Sequence, residues 1–323
     1  LRICALILVE AIMEKNSKIF IAGHKGLVGS AIVRKLKEEG YTNLILRSKG
    51  ELDLRDQRAV KNFFSIEMPE YVFLAAAKVG GINWNWTNPG EFIYDNLQIQ
   101  TNVIDSAYRN KCKKLLFLGS ACIYPKVTPQ PIKEEYLLTA PLEPTNEGYA
   151  LAKITGLRMC EYYRRQYGFN AISCMPANLY GPNDNFIPEH GHVIPGIITK
   201  MHNAMASGEN SIECWGDGTP TREFLYVDDL ADACFWMMQN YDEKEFVNVG
   251  SDEELTIKEL VNKLKKEFGF TGKIVWNKDK PNGTPRRKMD NSKLKSLGWT
   301  AKVSFDEGLK QTIDWYKKEK GLL

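Results

Sequence analysis

The 323-residue chain has no apolar run long enough to form a helix that spans a bilayer, its apolar first dozen residues included. Residues 1–12 are apolar, but they contain Glu10, carry only Arg2 as a basic flank, and lead into the first strand without a cleavage-like linker. They are expected to be an upstream or non-native extension, with Met13-Glu14-Lys15 reading as the natural start. The C-x-x-C spacing is also missing. The seven cysteines (4, 112, 122, 160, 174, 214 and 234) are odd in number, which excludes a fully paired disulfide framework and points to reduced thiols in the cytoplasm. A net charge of only +3, scattered along the chain, argues against nucleic acid or a membrane surface as partner. Internal repeats and low-complexity tracts are absent. What remains is ordinary globular composition, 43% hydrophobic and 26% charged, in a chain long enough for two domains.

The first strong pattern is a buried-type strand at 18–22 followed by Gly23-His24-Lys25-Gly26-Leu27-Val28-Gly29 and a helical stretch running to Gly40. Glycines three apart permit a tight turn and close backbone approach, so a pyrophosphate can sit at the helix N-terminus. Placement after a strand and before a helix is what separates a dinucleotide loop from a plain glycine-rich turn. The next strand, 43–46, ends in Arg47-Ser48-Lys49, where an NAD site would place a carboxylate. Arg47, Lys49 and Lys25 supply positive charge instead, and the acids come later, at Glu51 and Asp53. The charge pattern favours the 2′-phosphate of NADP.

Further strands at 71–77 and 114–119, with a helix at 94–110 between them, continue an alternation that predicts an α/β fold with a Rossmann-type doubly wound parallel sheet. Ligands in such sheets bind beyond the C-terminal strand ends, which is where Ser120-Ala121-Cys122 falls. Ser120 there is either a cap or a functional hydroxyl, and Cys122 either a small core residue or a functional thiol. Tyr149 and Lys153, four apart, share one face if their segment is helical. A phenol with an ordinary pKa near 10 is a poor acid at neutral pH. A nearby ammonium is expected to favour the phenolate and ease proton release.

Gly23/Gly26/Gly29, Ser120, Tyr149/Lys153 and Arg222-Glu223-Phe224-Leu225-Tyr226-Val227-Asp228-Asp229 together resemble the extended short-chain dehydrogenase/reductase family. Several strings sharpen the resemblance: Ala75-Ala76-Ala77-Lys78-Val79-Gly80-Gly81-Ile82, Leu118-Gly119-Ser120-Ala121-Cys122-Ile123-Tyr124-Pro125, Pro144-Thr145-Asn146-Glu147, Asn178-Leu179-Tyr180-Gly181-Pro182 and His192-Val193-Ile194-Pro195. They are similar to members that epimerise C3 and C5 of GDP-4-keto-6-deoxy-D-mannose and reduce C4 with NADPH. The alternative is another nucleotide-sugar epimerase or reductase of the family. Dehydratases place an acidic pair after the serine, where this chain has Ala121-Cys122.

The resemblance implies that Tyr149 is the proton donor, Ser120 holds the keto oxygen and Lys153 binds the nicotinamide ribose. Cys122 and His192 would be the proton-exchanging pair. It further implies cofactor contacts at residues 23–29, Lys49, Asp53, Leu54, Leu118, Gly119, Lys153, Pro176, Ala177, Asn178, Leu179 and His192. GDP-sugar contacts would fall at Lys200, Trp215, Arg222 and Asp290. Family members are usually homodimers.

His190 and His192 form an H-x-H pair, but Glu189 is the sole candidate neighbour, so no metal is expected. Past Pro182, the residues Pro188, Gly191, Pro195 and Gly196 read as loops. A helix is expected at 197–207, a strand at 211–215 and a turn at 216–220. The segment 246–250 reads as a return to the sheet, and 256–268 as a helix opened by the capping-box pair Thr256 and Glu259. The run from Lys280 to Asp290 is basic, either a solvated surface or, by the resemblance at Arg286 and Asp290, a substrate contact. The expected division is a cofactor domain of 13–182 and 224–250 and a smaller α/β substrate domain of 183–223 and 251–323.

Overall fold

The computed structural model describes residues 13–187, 191–280 and 282–322. The 1–12 extension, and Glu189 and His190 of the metal reading, lie outside them.

The first part of the chain runs β1 (Ile19–Ala22), α1 (Leu27–Glu38), β2 (Leu44–Ile45), α2 (Gln57–Glu67), β3 (Tyr71–Leu74), α3 (Ile82–Thr87), α4 (Pro89–Arg109), β4 (Lys114–Leu118), α5 (Glu147–Tyr167), β5 (Ala171–Pro176) and β6 (Asn178–Tyr180). It continues with α6 (Val193–Ser207), β7 (Ser211–Trp215), β8 (Thr221–Tyr226), α7 (Val227–Asn240), β9 (Val247–Val249), β10 (Glu254–Thr256), α8 (Ile257–Phe268), β11 (Lys273–Asn277), β12 (Arg286–Arg287), α9 (Ser292–Ser296) and α10 (Phe305–Glu319).

Every residue of β1, β3, β4 and β5 is buried, the signature of strands covered on both faces. They form a six-stranded parallel sheet in the order β2-β1-β3-β4-β5-β9. Helix α1 packs beside α7, while α4 lies against both α2 and α5. Burying each large side chain of these strands stabilises the fold by about 1.5–3 kcal/mol. The strand order reverses between β1 and β3, which opens a crevice beyond their C-terminal ends.

A second apolar cluster gathers Tyr180, Phe224, Tyr226, Leu260, Leu264 and Phe305 around β8. That strand pairs with β6, β10 and β12, and β7 pairs with β11 alongside. The capping box opens α8 as expected, and β9 returns to the main sheet.

Several boundaries differ from expectation: α4 begins at Pro89 rather than 94, β2 is confined to Leu44–Ile45, and two further differences have a clear physical cause. Strand β3 stops at Leu74, because the following Ala75 and Ala76 press against the glycine loop; a Cβ on Gly23 would lie 2.8 Å from the Ala76 backbone. Pro195 and Gly196 do not form a loop. They sit in the first turn of α6, where a residue lacking an N–H loses no helical hydrogen bond.

Candidate active site

Gly23 takes a left-handed φ of +87°, and the loop closes through Gly26 N–H donating to the Gly23 carbonyl at 3.0 Å. A Cβ on Gly29 would sit 2.1 Å from that same carbonyl oxygen, so only glycine fits. Gly26 caps α1 without any side-chain hydrogen bond, and the first turn holds no acid. The N-terminal amides and the positive end of the helix dipole therefore face the crevice uncompensated by side chains, a cradle that fits a pyrophosphate. Replacing Gly29 with alanine should weaken NADPH binding by at least about tenfold, the equivalent of about 1.4 kcal/mol of overpacking. Fluorescence titration reads this directly, and unchanged affinity would remove the loop from the cofactor site.

The charges near the adenosine end sort themselves by pairing. Arg47, expected to face a 2′-phosphate, instead donates to Glu67 at 2.5 Å and to the Leu46 carbonyl. Glu51 is held by the amide and hydroxyl of Ser48. Asp53 is gripped by the Arg55 guanidinium at 2.7–3.2 Å, which holds its carboxyl down to about 2. Arg55 also reaches Asp95. With Glu51 and Asp53 engaged, the exposed ammonium groups of Lys25 and Lys49 set the local charge, as the sequence pattern for NADP requires. Leu54 is anchored by the Asn102 amide donating to its carbonyl at 3.0 Å. Burial lowers the pKa of the His24 imidazole within the glycine loop.

Strand β4 delivers Leu118, Gly119 and Ser120 to the crevice. Gly119 lets this end pass β5, since a Cβ there would lie 2.1 Å from the Met175 sulfur. Ser120 caps a short 3-10 turn, Ala121–Ile123, its hydroxyl accepting the Cys122 N–H at 3.3 Å. It also shares a hydrogen bond with the Tyr149 phenol. Lys153, one turn further along α5, is only 4% exposed. Its ammonium donates to the Leu118 carbonyl at 2.7 Å and lies 5.8 Å from the centre of the Tyr149 ring. Burial brings the Lys153 amine down to about 8. The Tyr149 phenol moves opposite to the expected direction: burial raises its pKa and outweighs the Ser120 hydrogen bond that acts to lower it.

Cys122 is half-buried beside this trio, near enough to bear electrostatically on both Tyr149 and Lys153. Its sulfur accepts from the Asn146 amide at 3.2 Å. His192 sits exposed at the N-cap of α6. The buried Asp184 carboxyl lies within its electrostatic reach; burial raises the Asp184 pKa, while His192 acts to lower it. One Asp184 oxygen is buried without a hydrogen-bond partner. Pro176–Leu179 span the end of β5 and the start of β6, with Ala177 between them: Ala177 N–H donates to the Val249 carbonyl, and the Asn178 amide to the Glu223 carbonyl at 2.9 Å.

In the segment around β7, Lys200 of α6 donates to the Glu213 carbonyl, and Trp215 is half-exposed under the Lys280 ammonium. Asp217 N–H bonds Asn282 at 2.8 Å, interlocking the 216–220 turn with the basic loop. Within that loop Arg286 is neutralised by a two-pronged bridge to Glu254 at 2.6–2.7 Å. Its neighbour Arg287 instead donates to the carbonyls of Ala121 at 2.7 Å and Tyr124 at 3.3 Å, clamping the turn that bears Cys122. Burial and the Arg287 charge both lower the pKa of Arg222. Asp290 accepts from Ser292 N–H at 2.9 Å. Sequence reading assigned no role to Asn146, Asp184 or Arg287, although Asn146 lies inside one of the strings quoted above.

A nucleotide crevice at the sheet's switch point, with a serine, tyrosine and lysine converging beside it, defines a short-chain dehydrogenase/reductase-type enzyme. The chain belongs to the NAD dependent epimerase/dehydratase family, whose pattern it matches over residues 19–250. It is 60% identical over 310 residues to GDP-L-fucose synthase 1 of Arabidopsis thaliana, with 96% of each chain covered. It is 47% identical to GDP-L-fucose synthase of Escherichia coli K12, with 93% of this chain and 97% of that one covered. The crystal structure of a GDP-L-fucose synthetase from Naegleria fowleri bound to NADP matches with a TM-score of 0.89 at 30% identity, covering 97% of this chain and 96% of that one.

Proposed function

We propose that the protein converts GDP-4-keto-6-deoxy-D-mannose to GDP-L-fucose, inverting C3 and C5 and reducing C4 with NADPH. One observation carries the reading: the Cys122 thiol stands beside Ser120, Tyr149 and Lys153, so a proton-exchanging group shares a pocket with a ketone-reducing trio. Bound NADPH supplies hydride to the C4 carbonyl carbon. Ser120 holds the keto oxygen, Tyr149 gives its phenolic proton to that oxygen as negative charge grows on it, and solvent reprotonates the phenol. Lys153 uses one donor on Leu118 and keeps the others for the ribose hydroxyls.

The C3 and C5 protons are acidic because each lies next to the C4 ketone. Removal of either leaves an enolate, whose oxygen the same Ser120 and Tyr149 donors stabilise. Cys122 and His192 divide the abstraction and return of protons, a thiol and an imidazole each being able to take up a proton and give one back. Lys200, Trp215, Arg222 and Asp290 take the GDP-sugar, and residues 23–29, Lys49, Asp53–Leu54, Leu118–Gly119 and Pro176–Leu179 the cofactor. The division into 13–182 with 224–250 and 183–223 with 251–323 follows those two roles.

The protein would act as a cytoplasmic homodimer. Exposed Tyr94, Leu151, Tyr162 and Tyr167 on α4 and α5 support self-association through that face. The described residues include no helix long and apolar enough to cross a membrane.

The test is incubation of the keto sugar with enzyme and NADPH in deuterated water, followed by NMR of the product. Oxidation of NADPH with deuterium at C3 and C5 is the expected result. No NADPH oxidation would overturn the assignment, and oxidation without deuterium would reduce the protein to a simple 4-reductase.

A further inference from the structure

We propose that Asn146 is a positioning residue for the epimerisation, holding the Cys122 sulfur in register with Tyr149; the inference rests on the function proposed above. Asn146 occupies the N-cap of α5. Asparagine is among the residues best suited to that position, where its side-chain oxygen ordinarily accepts an amide of the first helical turn. Here it makes no such bond. Its amide group turns instead to the Cys122 sulfur, donating at 3.2 Å, and its carbonyl oxygen is left buried without a partner. The helix forgoes its side-chain cap, and a buried acceptor goes unpaired as well. A local arrangement this unfavourable is expected where function requires it.

The tie completes a set of restraints on one short turn. Ser120 holds the Cys122 N–H, and Arg287 holds the carbonyls on either side. These fix the backbone of residues 121–124 and leave the thiol free to rotate about its own side-chain bond. Asn146 removes that freedom. Because Asn146 lies three residues before Tyr149 on α5, the contact ties the sulfur to the helix that carries the phenol. A proton taken by sulfur from C3 or C5, and one given by Tyr149 at the C4 oxygen, then act on a single sugar ring held in one orientation. The N–H directed at sulfur also supports negative charge there whenever the thiol gives up its proton.

Substitution of Asn146 by serine separates positioning from folding, because serine is an equally good N-cap but too short to span to the sulfur. Asn146→Ser should keep the melting temperature of the wild type and its NADPH affinity. Entry of solvent deuterium into the keto sugar should slow roughly tenfold to a hundredfold. Alkylation of Cys122 by iodoacetamide, followed on its own peptide by mass spectrometry, should change at least about threefold as the sulfur loses its donor. Unchanged deuterium entry in Asn146→Ser would overturn the proposal, as would a fall in deuterium entry that merely tracks a fall in melting temperature. If the wild type itself showed no deuterium entry, the proposed function would fail. The alkylation measurement would then decide alone, a changed rate upholding the Asn146–Cys122 tie and an unchanged rate overturning it.

Discussion

Tyr149→Phe should lower the rate of C4 reduction by roughly 100- to 10,000-fold, the usual worth of a positioned general acid, with NADPH still bound. Phenylalanine keeps the ring that packs edge-on against Phe92 and lies near the Lys153 ammonium, so the fold and the cofactor cleft should survive. Only the hydroxyl bonded to Ser120 is lost. Stopped-flow oxidation of NADPH measures the chemical step, and an equilibrium titration in parallel measures binding. A variant within threefold of wild type in the chemical step would move the proton donor to another residue. The same site makes a claim about pH. Burial keeps Tyr149 protonated throughout the range in which Lys153 titrates, near 8. The kcat/KM for NADPH should therefore be level below about 8 and decline above it, as Lys153 loses the charge that its cofactor contact uses. Lys153→Arg, permanently charged, should abolish that alkaline limb; a limb that persisted would belong to a different group.

How far such a site can be read from a sequence depends on the distance over which its parts interact. The strands of the main sheet were legible because wholly buried strands carry unbroken apolar runs, as in Tyr71–Leu74 and Lys114–Leu118. The cofactor loop was legible because its glycines answer a purely local demand for close backbone approach. The spacing of Tyr149 and Lys153 is likewise a local property of one helix. What escaped was pairing between side chains remote in sequence. Nothing near Arg47 announces that Glu67, 20 residues on, will take it. Arg286 and Arg287 are indistinguishable as letters, yet one faces Glu254 and the other crosses to the Cys122 turn 166 residues away. The acidity of Tyr149 was misjudged for a related reason. Spacing reveals the lysine one turn away but not the loss of solvent around both groups, and that loss dominates.

Glu223→Leu should be the most damaging change outside the reacting groups, lowering unfolding stability by about 2–6 kcal/mol, since it leaves two buried amides without an acceptor at a cost of about 1–3 each. The Glu223 side chain is fully buried on β8, where one carboxylate oxygen accepts from Asp252 N–H at 2.8 Å and from the Asn291 amide at 3.0 Å. The other accepts from Met289 N–H at 2.8 Å. Gly250 exists for this carboxylate, because a Cβ there would come within 2.3 Å of it. Leucine fills the volume but accepts nothing, so the Asp252 and Met289 amides are stranded together, while the Asn291 amide keeps its longer contact with the Asp252 carboxylate at 3.3 Å. Glu223→Gln retains one acceptor oxygen and should lose less, which separates hydrogen bonding from shape. The damage should also reach the substrate. The segment pinned by Glu223 carries Asp290, and two residues before Met289 it carries Arg287, which holds the Cys122 turn. At temperatures where Glu223→Gln stays folded, KM for the GDP-sugar should rise and deuterium entry should slow, while NADPH affinity, set by the glycine loop after β1, should hold. Urea unfolding gives the stability difference and steady-state kinetics the second effect. A Glu223→Leu protein within 1 kcal/mol of wild type would mean that water or a shifted backbone replaces the carboxylate, and that the loop is held by its other ties, among them Arg287 and the backbone bonds of Lys288 and Asp290 to Ile132.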